Sequence, residues 1–395
     1  MATGIALVAW MQDLGAGSGL IGAYFAFASV VMVLTGLTAG PIGDRFERRT
    51  VILISDLVAM IATFCSALLV NHVSQLSWAV VISFSLRAVI VFCFALRAPS
   101  MAAEISTSVG PERLRSAISF SSSSRYIVGF VGEASGGTIY AAFGKMVVFL
   151  VDSFTYLIAC LFTFSLPPSK AHNLNQSHSQ DEGKKKNVMR VLVQDLKDGV
   201  RFVAGEPAVR PLFIMLFFLN IVFSPIIVWI PFVVRSSLGG GVNNVGYTLA
   251  AMSSGMLVGS MISGLRVFEG RLHLLFVSAL LAMSVGLMSV LASSSPAVLL
   301  GPIFMVGTGA GIVNIVVPAH IQSLTPESFQ SRVVSLIMFS GQVFNPVAQG
   351  VFGGIGELLG SKINLIPFFS GVLVLALFVM SVATTHIRSA FRARL

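Results

Sequence analysis

The chain is a succession of apolar blocks of about 20 residues joined by short polar segments. A helix rises about 1.5 Å per residue, so a block of that length crosses a hydrocarbon core of about 30 Å. Lipid offers backbone groups no hydrogen-bond partners, which leaves helices or a closed barrel. A barrel needs polarity that alternates residue by residue, and these blocks are continuously apolar. With 55% hydrophobic and 10% charged residues, the balance is not that of a soluble domain. We read apolar spans near 19–42, 51–70, 78–101, 118–140, 145–167, 211–234, 244–265, 273–294, 296–320, 332–355 and 366–388, eleven in all. Residues 1–11 are apolar too, but cover only half a bilayer. They lack the basic start and small-residue cleavage site of a signal peptide. They are expected to be the outer half of a first helix whose inner half is missing.

The net charge of +9 is first a topology signal. All but six of the 25 Lys and Arg fall in segments assigned to one side. The exceptions are Arg87, Arg97, Arg125, Lys145, Arg235 and Lys362. That asymmetry is the positive-inside pattern, with both termini cytoplasmic. Lys184-Lys185-Lys186 reads as a solvated cytoplasmic run that can touch anionic lipid, not as a nucleic-acid patch. Cys65, Cys93 and Cys160 lie in apolar stretches without metal spacing and are expected to be buried free thiols.

One long polar break interrupts the blocks. After Pro167-Pro168, residues 169–187 read as linker, and Val188–Ala204 carries apolar residues at helical spacing. We expect an amphipathic helix on the cytoplasmic membrane surface. The organisation is therefore an N-terminal bundle over 1–167, a linker over 168–210 and a C-terminal bundle over 211–395. The halves echo one another. Pro111-Glu112-Arg113-Leu114-Arg115-Ser116 matches Pro326-Glu327-Ser328-Phe329-Gln330-Ser331, 215 positions on. Phe46-Glu47-Arg48-Arg49 matches Phe268-Glu269-Gly270-Arg271, 222 positions on. Both matches fall in cytoplasmic joints, which suggests a duplicated six-helix unit with a path between the halves.

The sharpest motif is Gly40-Pro41-Ile42-Gly43-Asp44-Arg45-Phe46-Glu47-Arg48-Arg49, between two spans. It resembles the helix 2–3 loop signature of the major facilitator superfamily of secondary transporters. The resemblance implies an all-α membrane fold of two pseudo-symmetric six-helix bundles that transports by alternating access. It implies that Gly40 allows close helix approach and that Asp44 faces a helix N-terminus of the other half. Arg45, Arg48 and Arg49 would tie down carboxylates or lipid phosphate. Together they would form a conformational switch. Glu47 stands where many members have Gly, as in the branch of macrolide and siderophore exporters. Phe149–Tyr156, Pro326–Val333, and Asn220, Pro225, Pro231 and Gly246 also resemble that branch.

The span 118–140, the fifth helix once residues 1–11 are counted as the first, carries Gly129, Gly132, Gly136 and Gly137, small residues that let a neighbour pack closely. It resembles the glycine-rich antiporter motif, with Glu133 where that motif has Pro. Ionisable groups inside the membrane are functional candidates. Here they are Asp56, Arg87, Arg97, Arg125, Glu133 and Asp152. The helices that the resemblance assigns to the cavity rank Glu133, Arg87, Arg97 and Arg125 as proton or substrate residues. Asp56 and Asp152 are ranked as structural. Burial disfavours a charged carboxyl and a nearby Arg favours it, so a moving Arg can switch Glu133 between protonation states. The plain alternative is a permanent Glu133–Arg pair. Asn314 is the best cavity candidate among the later polar residues, and His320 is expected to be solvated.

No phosphate-binding Gly-Lys loop, metal-ligand spacing or nucleophile elbow is present in the sequence, so no enzyme emerges. The expectation is a monomeric plasma-membrane exporter of a drug-, macrolide- or siderophore-like molecule. No cofactor is needed, and a proton gradient supplies the energy. Two rivals stand beside it: transport of another solute without proton antiport, and a membrane protein of the same fold that does not transport.

Overall fold

In the computed structural model, residues 2–45, 47–108, 111–165, 188–265, 271–384 and 391 are described. Within these segments the side chains of 37–45, 102–108, 111–123, 125, 126, 188–196, 327, 328, 331, 335 and 361 lie outside the description. The first half contains α1 Ala2–Asp13, α2 Ser18–Arg45, α3 Arg48–Leu69, α4 Leu76–Ser108, α5 Pro111–Phe143 and α6 Lys145–Ser165. Next comes α7 Val188–Gly205. The second half contains α8 Arg210–Phe223, α9 Ile226–Phe232, α10 Val242–Ser263, α11 Leu272–Ser289, α12 Pro296–Ser323, α13 Glu327–Val343, α14 Asn345–Leu359 and α15 Leu365–Ala383.

Among the described residues, nine helices or joined helices are long and apolar enough to cross a bilayer, and Ile127–Phe143 of α5 is a shorter apolar stretch. Two expected spans are broken, each at a proline. Proline lacks the donor that continues a helix and its ring crowds the preceding turn. The expected span 211–234 divides into α8 and α9 at Ser224-Pro225. The expected span 332–355 divides into α13 and α14 at Phe344, with Pro346 in the first turn of α14. After α9, Val233–Ser237 form a π-turn, closed by Leu238 N–H donating to the Val233 carbonyl at 3.0 Å.

The packing repeats with a shift of one half. The pairs α2–α4, α3–α4 and α3–α6 have counterparts in α10–α12, α11–α12 and α11–α15. The two halves meet where α5 crosses α10 and, as its mate, where α2 crosses α14. Lipid gives apolar side chains no drive to leave it, so such crossings depend on small residues and close contact. Both crossings lie toward the end of the bundle where α1 finishes at Asp13. At that end Gly15 (φ 92°) and Gly144 (φ 81°) make the tight turns α1–α2 and α5–α6. The opposite end carries Arg48 and Arg49.

α7 forms where expected, and it packs on α13. Phe202 stacks on Phe329 with ring centres 5.1 Å apart, and Asp198 pairs with Arg332 at 3.8 Å. Two expectations are corrected here. His320 is buried and stacks on Phe391 with ring centres 5.1 Å apart, instead of being solvated. Of the three free thiols, Cys93 is buried, but Cys65 is exposed on the outside of α3 and Cys160 is half-buried.

Candidate functional site

A chamber of about 220 Å³ lies between the halves, beneath the Asp13 end. It is walled by α1, α2, α4, α5, α9 and α10. The wall is mainly apolar: Ile5, Val8, Phe25, Ile227, Leu249 and Met252 contribute, with Gly4 and Pro231. Its polar side chains are Gln12, Arg87 and Glu133. Such a site, mostly apolar with a few convergent polar groups, has the make-up of a small-molecule pocket.

The sequence places Glu133 and Arg87 at similar depth, and both line this chamber. They do not form the pair considered above, in this state and among the described residues. Glu133 Oε2 instead accepts a hydrogen bond from Ser253 Oγ on α10, across the junction of the halves. Arg87 lies over the Tyr24 ring, its guanidinium carbon 6.0 Å from the ring centre. Its Nε is buried with no hydrogen-bond partner among the described residues.

Two glycine crossings join the halves toward the Asp13 end. A Cβ added to Gly137 would stand 2.7 Å from the Val242 carbonyl oxygen, and one on Gly246 would stand 2.5 Å from that of Glu133. In the mate crossing, a Cβ on Gly22 would stand 2.7 Å from the Gly353 Cα. Only glycine admits backbones this close. Gly136, one residue on, faces α1, where its Cβ would meet Ala2 at 2.7 Å. Gly129 is buried and Gly132 half-buried.

Polar contacts tie the same end together. The π-turn aims Arg235 at α1, where it donates to the Ala9 carbonyl at 3.2 Å and Gln12 Oε1 at 3.1 Å and pairs with Asp13. Tyr140 of α5 donates its hydroxyl to Asp13 Oδ2 at 2.6 Å. Ser29 of α2 donates to Gln349 of α14 at 2.8 Å, and Gly19 N–H donates to Glu357 at 3.0 Å. Asp13, Arg235, Ser253 and Glu357 are absent from the candidates drawn from sequence. One signal was available: Asp13 and Arg235 carry opposite charges near the ends of two spans that finish on the same side.

The other candidates fall elsewhere. Arg97, ranked with the proton and substrate residues, pairs with Asp56 at 3.1 Å between α4 and α3. The Asp56 side chain is 2% exposed and that of Arg97 29%, so this is a buried tie, away from the chamber wall. Asp152 accepts a hydrogen bond from Thr3 and joins α6 to α1. Asn314 is exposed on α12 and does not line the chamber. The Arg125 side chain lies outside the described residues, as do the surroundings of Gly40, Asp44 and Arg45 at the end of α2. Arg48 is half-buried. Arg49 donates to the Thr163 and Phe164 carbonyls at 3.2 and 2.5 Å and lies over the Phe164 ring. Those carbonyls are orphans at the end of α6, so a cation there is favoured by the helix dipole as well.

Comparison with known proteins agrees with this architecture. The chain is 25% identical over 346 residues to the uncharacterized MFS-type transporter YfiS of Bacillus subtilis (strain 168), covering 85% of this chain and 77% of that protein. Among solved structures, the D-xylose-proton symporter superposes with a TM-score of 0.74 at 12% identity, covering 100% of this chain and 96% of that one. The nucleoside transporter NupG gives 0.68 at 13% identity, covering 100% and 96%. A bacterial homologue of the human lysosomal transporter Spinster, inward-facing and occupied, gives 0.66 at 13%, covering 99% and 93%. At such identities these structures speak for the fold alone. The sequence profile described as Major Facilitator Superfamily matches residues 1–349, and the chain belongs to that family of multi-pass membrane transporters.

Proposed function

We propose that this transporter exports an amphipathic small molecule, drug-, macrolide- or siderophore-like, across the plasma membrane by alternating access coupled to proton entry. The observation that carries the reading is the position of Glu133. It lines the chamber, its carbonyl lies against Gly246, and its carboxyl accepts from Ser253 on the opposing helix. A proton gained or lost there changes a bond that joins the halves, which links protonation to the crossing. The charge asymmetry favours the Asp13 end outside and the C-terminal end in the cytoplasm. The state described is then closed outside, and its chamber takes cargo from the cytoplasm. Opening outward separates α5 from α10 and α2 from α14, while the Gly40–Arg49 loop closes the cytoplasmic side. Arg87 faces the cargo, and Arg97 and Asp56 hold α4 to α3. The chamber is walled by helices of one chain, which supports a monomer as the transporting unit.

The test compares accumulation of a panel of hydrophobic drugs and siderophores in cells with and without the chain, at matched expression, with and without an uncoupler. Lower accumulation that the uncoupler abolishes supports the reading. No difference for any compound, with the protein in the membrane, refutes it.

A further inference from the structure

A permanent positive charge stands in the chamber, and among the described residues no carboxylate forms an ion pair with it. Arg87 is one of two charged side chains in the wall, and a guanidinium does not lose its proton in proteins. Glu133 is occupied by Ser253, and among the described residues no carboxylate reaches Arg87 within ion-pair distance. The remaining acids near the chamber are taken: Asp13 by Arg235 and Tyr140, Asp152 by Thr3. The face of Tyr24 offers Arg87 a weak substitute, and its Nε donates to nothing described. A charge drawn from water without a partner is costly, and that cost is relieved when a ligand brings the opposite charge. The planar guanidinium fork suits a carboxylate better than an ammonium group would. The rest of the wall is apolar and suits a hydrocarbon or aromatic body.

We infer that the cargo is an amphipathic carboxylate, held by Arg87 through its anionic group and by Ile5, Val8, Phe25, Leu249 and Met252 through its apolar body. The inference rests on the reading of the chamber as the transport site and narrows its cargo. Arg87 keeps its charge throughout the cycle, so cargo and proton engage different groups.

The test is saturable binding of tritiated phenylbutyrate to the purified chain in nanodiscs of zwitterionic lipid, with empty nanodiscs as blank. Phenylbutanol and phenylbutylammonium, which share its body, serve as competitors. We expect phenylbutyrate to bind and the neutral and cationic partners to compete at least about tenfold more weakly. Arg87→Gln should weaken phenylbutyrate binding about tenfold or more while leaving phenylbutanol binding near wild type, which shows that the chamber is intact. Arg87→Lys should keep the preference for the anion at intermediate affinity. Equal binding of the three compounds, preference for phenylbutylammonium, undiminished phenylbutyrate binding by Arg87→Gln, or no saturable binding by the wild-type chain would each overturn the inference. The assay uses no gradient. Its failure therefore leaves the export reading standing, and loss of uncoupler-sensitive efflux with anion-selective binding intact counts against the export reading alone.

Discussion

Gly137 of α5 and Gly246 of α10 meet so closely that a Cβ on Gly137 would stand 3.0 Å from the Gly246 Cα. Gly22 and Gly353 make the matching contact between α2 and α14. Two halves of one chain are joined at one end by a pair of backbone crossings that no larger residue fits.

The first prediction follows from that fit. Gly137→Leu forces a side chain into backbone, which costs the sealed state about 1–3 kcal/mol, while the unsealed state has room for it. The unsealed population should rise on the order of tenfold. Alkylation of Val8→Cys in the chamber by a membrane-impermeant thiol reagent added outside reads this directly. The expected result is faster labelling in Gly137→Leu and Gly22→Leu than in the parent. Equal rates would mean that these crossings do not govern access.

Arg235 and Asp13 should act as a weaker latch over the same seal. The pair is partly exposed, so we expect Arg235→Gln and Asp13→Asn each to raise Val8→Cys labelling by about 1 kcal/mol or less, a few-fold in rate. A double-mutant cycle isolates the interaction. The double variant should match the stronger single variant, whereas simple additivity would show that the two side chains do not cooperate.

The buried tie between Asp56 and Arg97 predicts a stability effect separate from transport. Arg97→Met leaves Asp56 unpaired in a site where its side chain is 2% exposed, which costs about 3–5 kcal/mol. Asp56→Asn combined with Arg97→Met should recover most of that loss, since no charge is stranded. Thermal unfolding in detergent gives the order: single variant well below wild type, double variant near it. The double variant should also transport. Loss of transport at full stability would return Arg97 to the functional residues.

Glu133→Gln keeps the shape of the side chain and removes the ionisable group. We expect it to retain cargo binding and to lose the response of efflux to the uncoupler. Ser253→Ala removes one hydrogen bond, worth about 1 kcal/mol, and should shift the pH at which efflux is half-maximal without abolishing it. Uncoupler-sensitive efflux by Glu133→Gln at the wild-type level would exclude the proton role.

Much of the architecture was legible because the bilayer imposes it. Apolar length gave most of the spans. The depth of Glu133 and Arg87 along their helices placed both near one level, and both line the chamber. What depth does not supply is azimuth, which decides whom a side chain meets. Arg97 and Arg87 lie ten positions apart on α4. One turns to Asp56 of α3 and the other into the chamber, because different helices flank them. The same holds for His320, whose partner Phe391 comes from the far end of the chain, and for Arg49, whose acceptors are backbone carbonyls that no composition reveals. The breaks at Pro225 and Pro346 were readable, but a span defined by hydropathy passes through a proline unnoticed. The glycine crossings were half visible: the stretch around Gly137 stood out, while Gly22, Gly246 and Gly353 gained meaning only as partners.

If the halves move against each other, the Asp13 end must open and close, and one distance reads that motion. Phe143 at the end of α5 and Leu358 at the end of α14 are 71% and 89% exposed at that end, one on each half, and accept spin labels after Cys65, Cys93 and Cys160 are replaced. Pulsed electron–electron resonance on the labelled pair in nanodiscs measures their separation. We expect a short component for the sealed state and a longer one that gains weight when Gly137→Leu is introduced. A single distribution that the substitution leaves unmoved would contradict alternating access through this end.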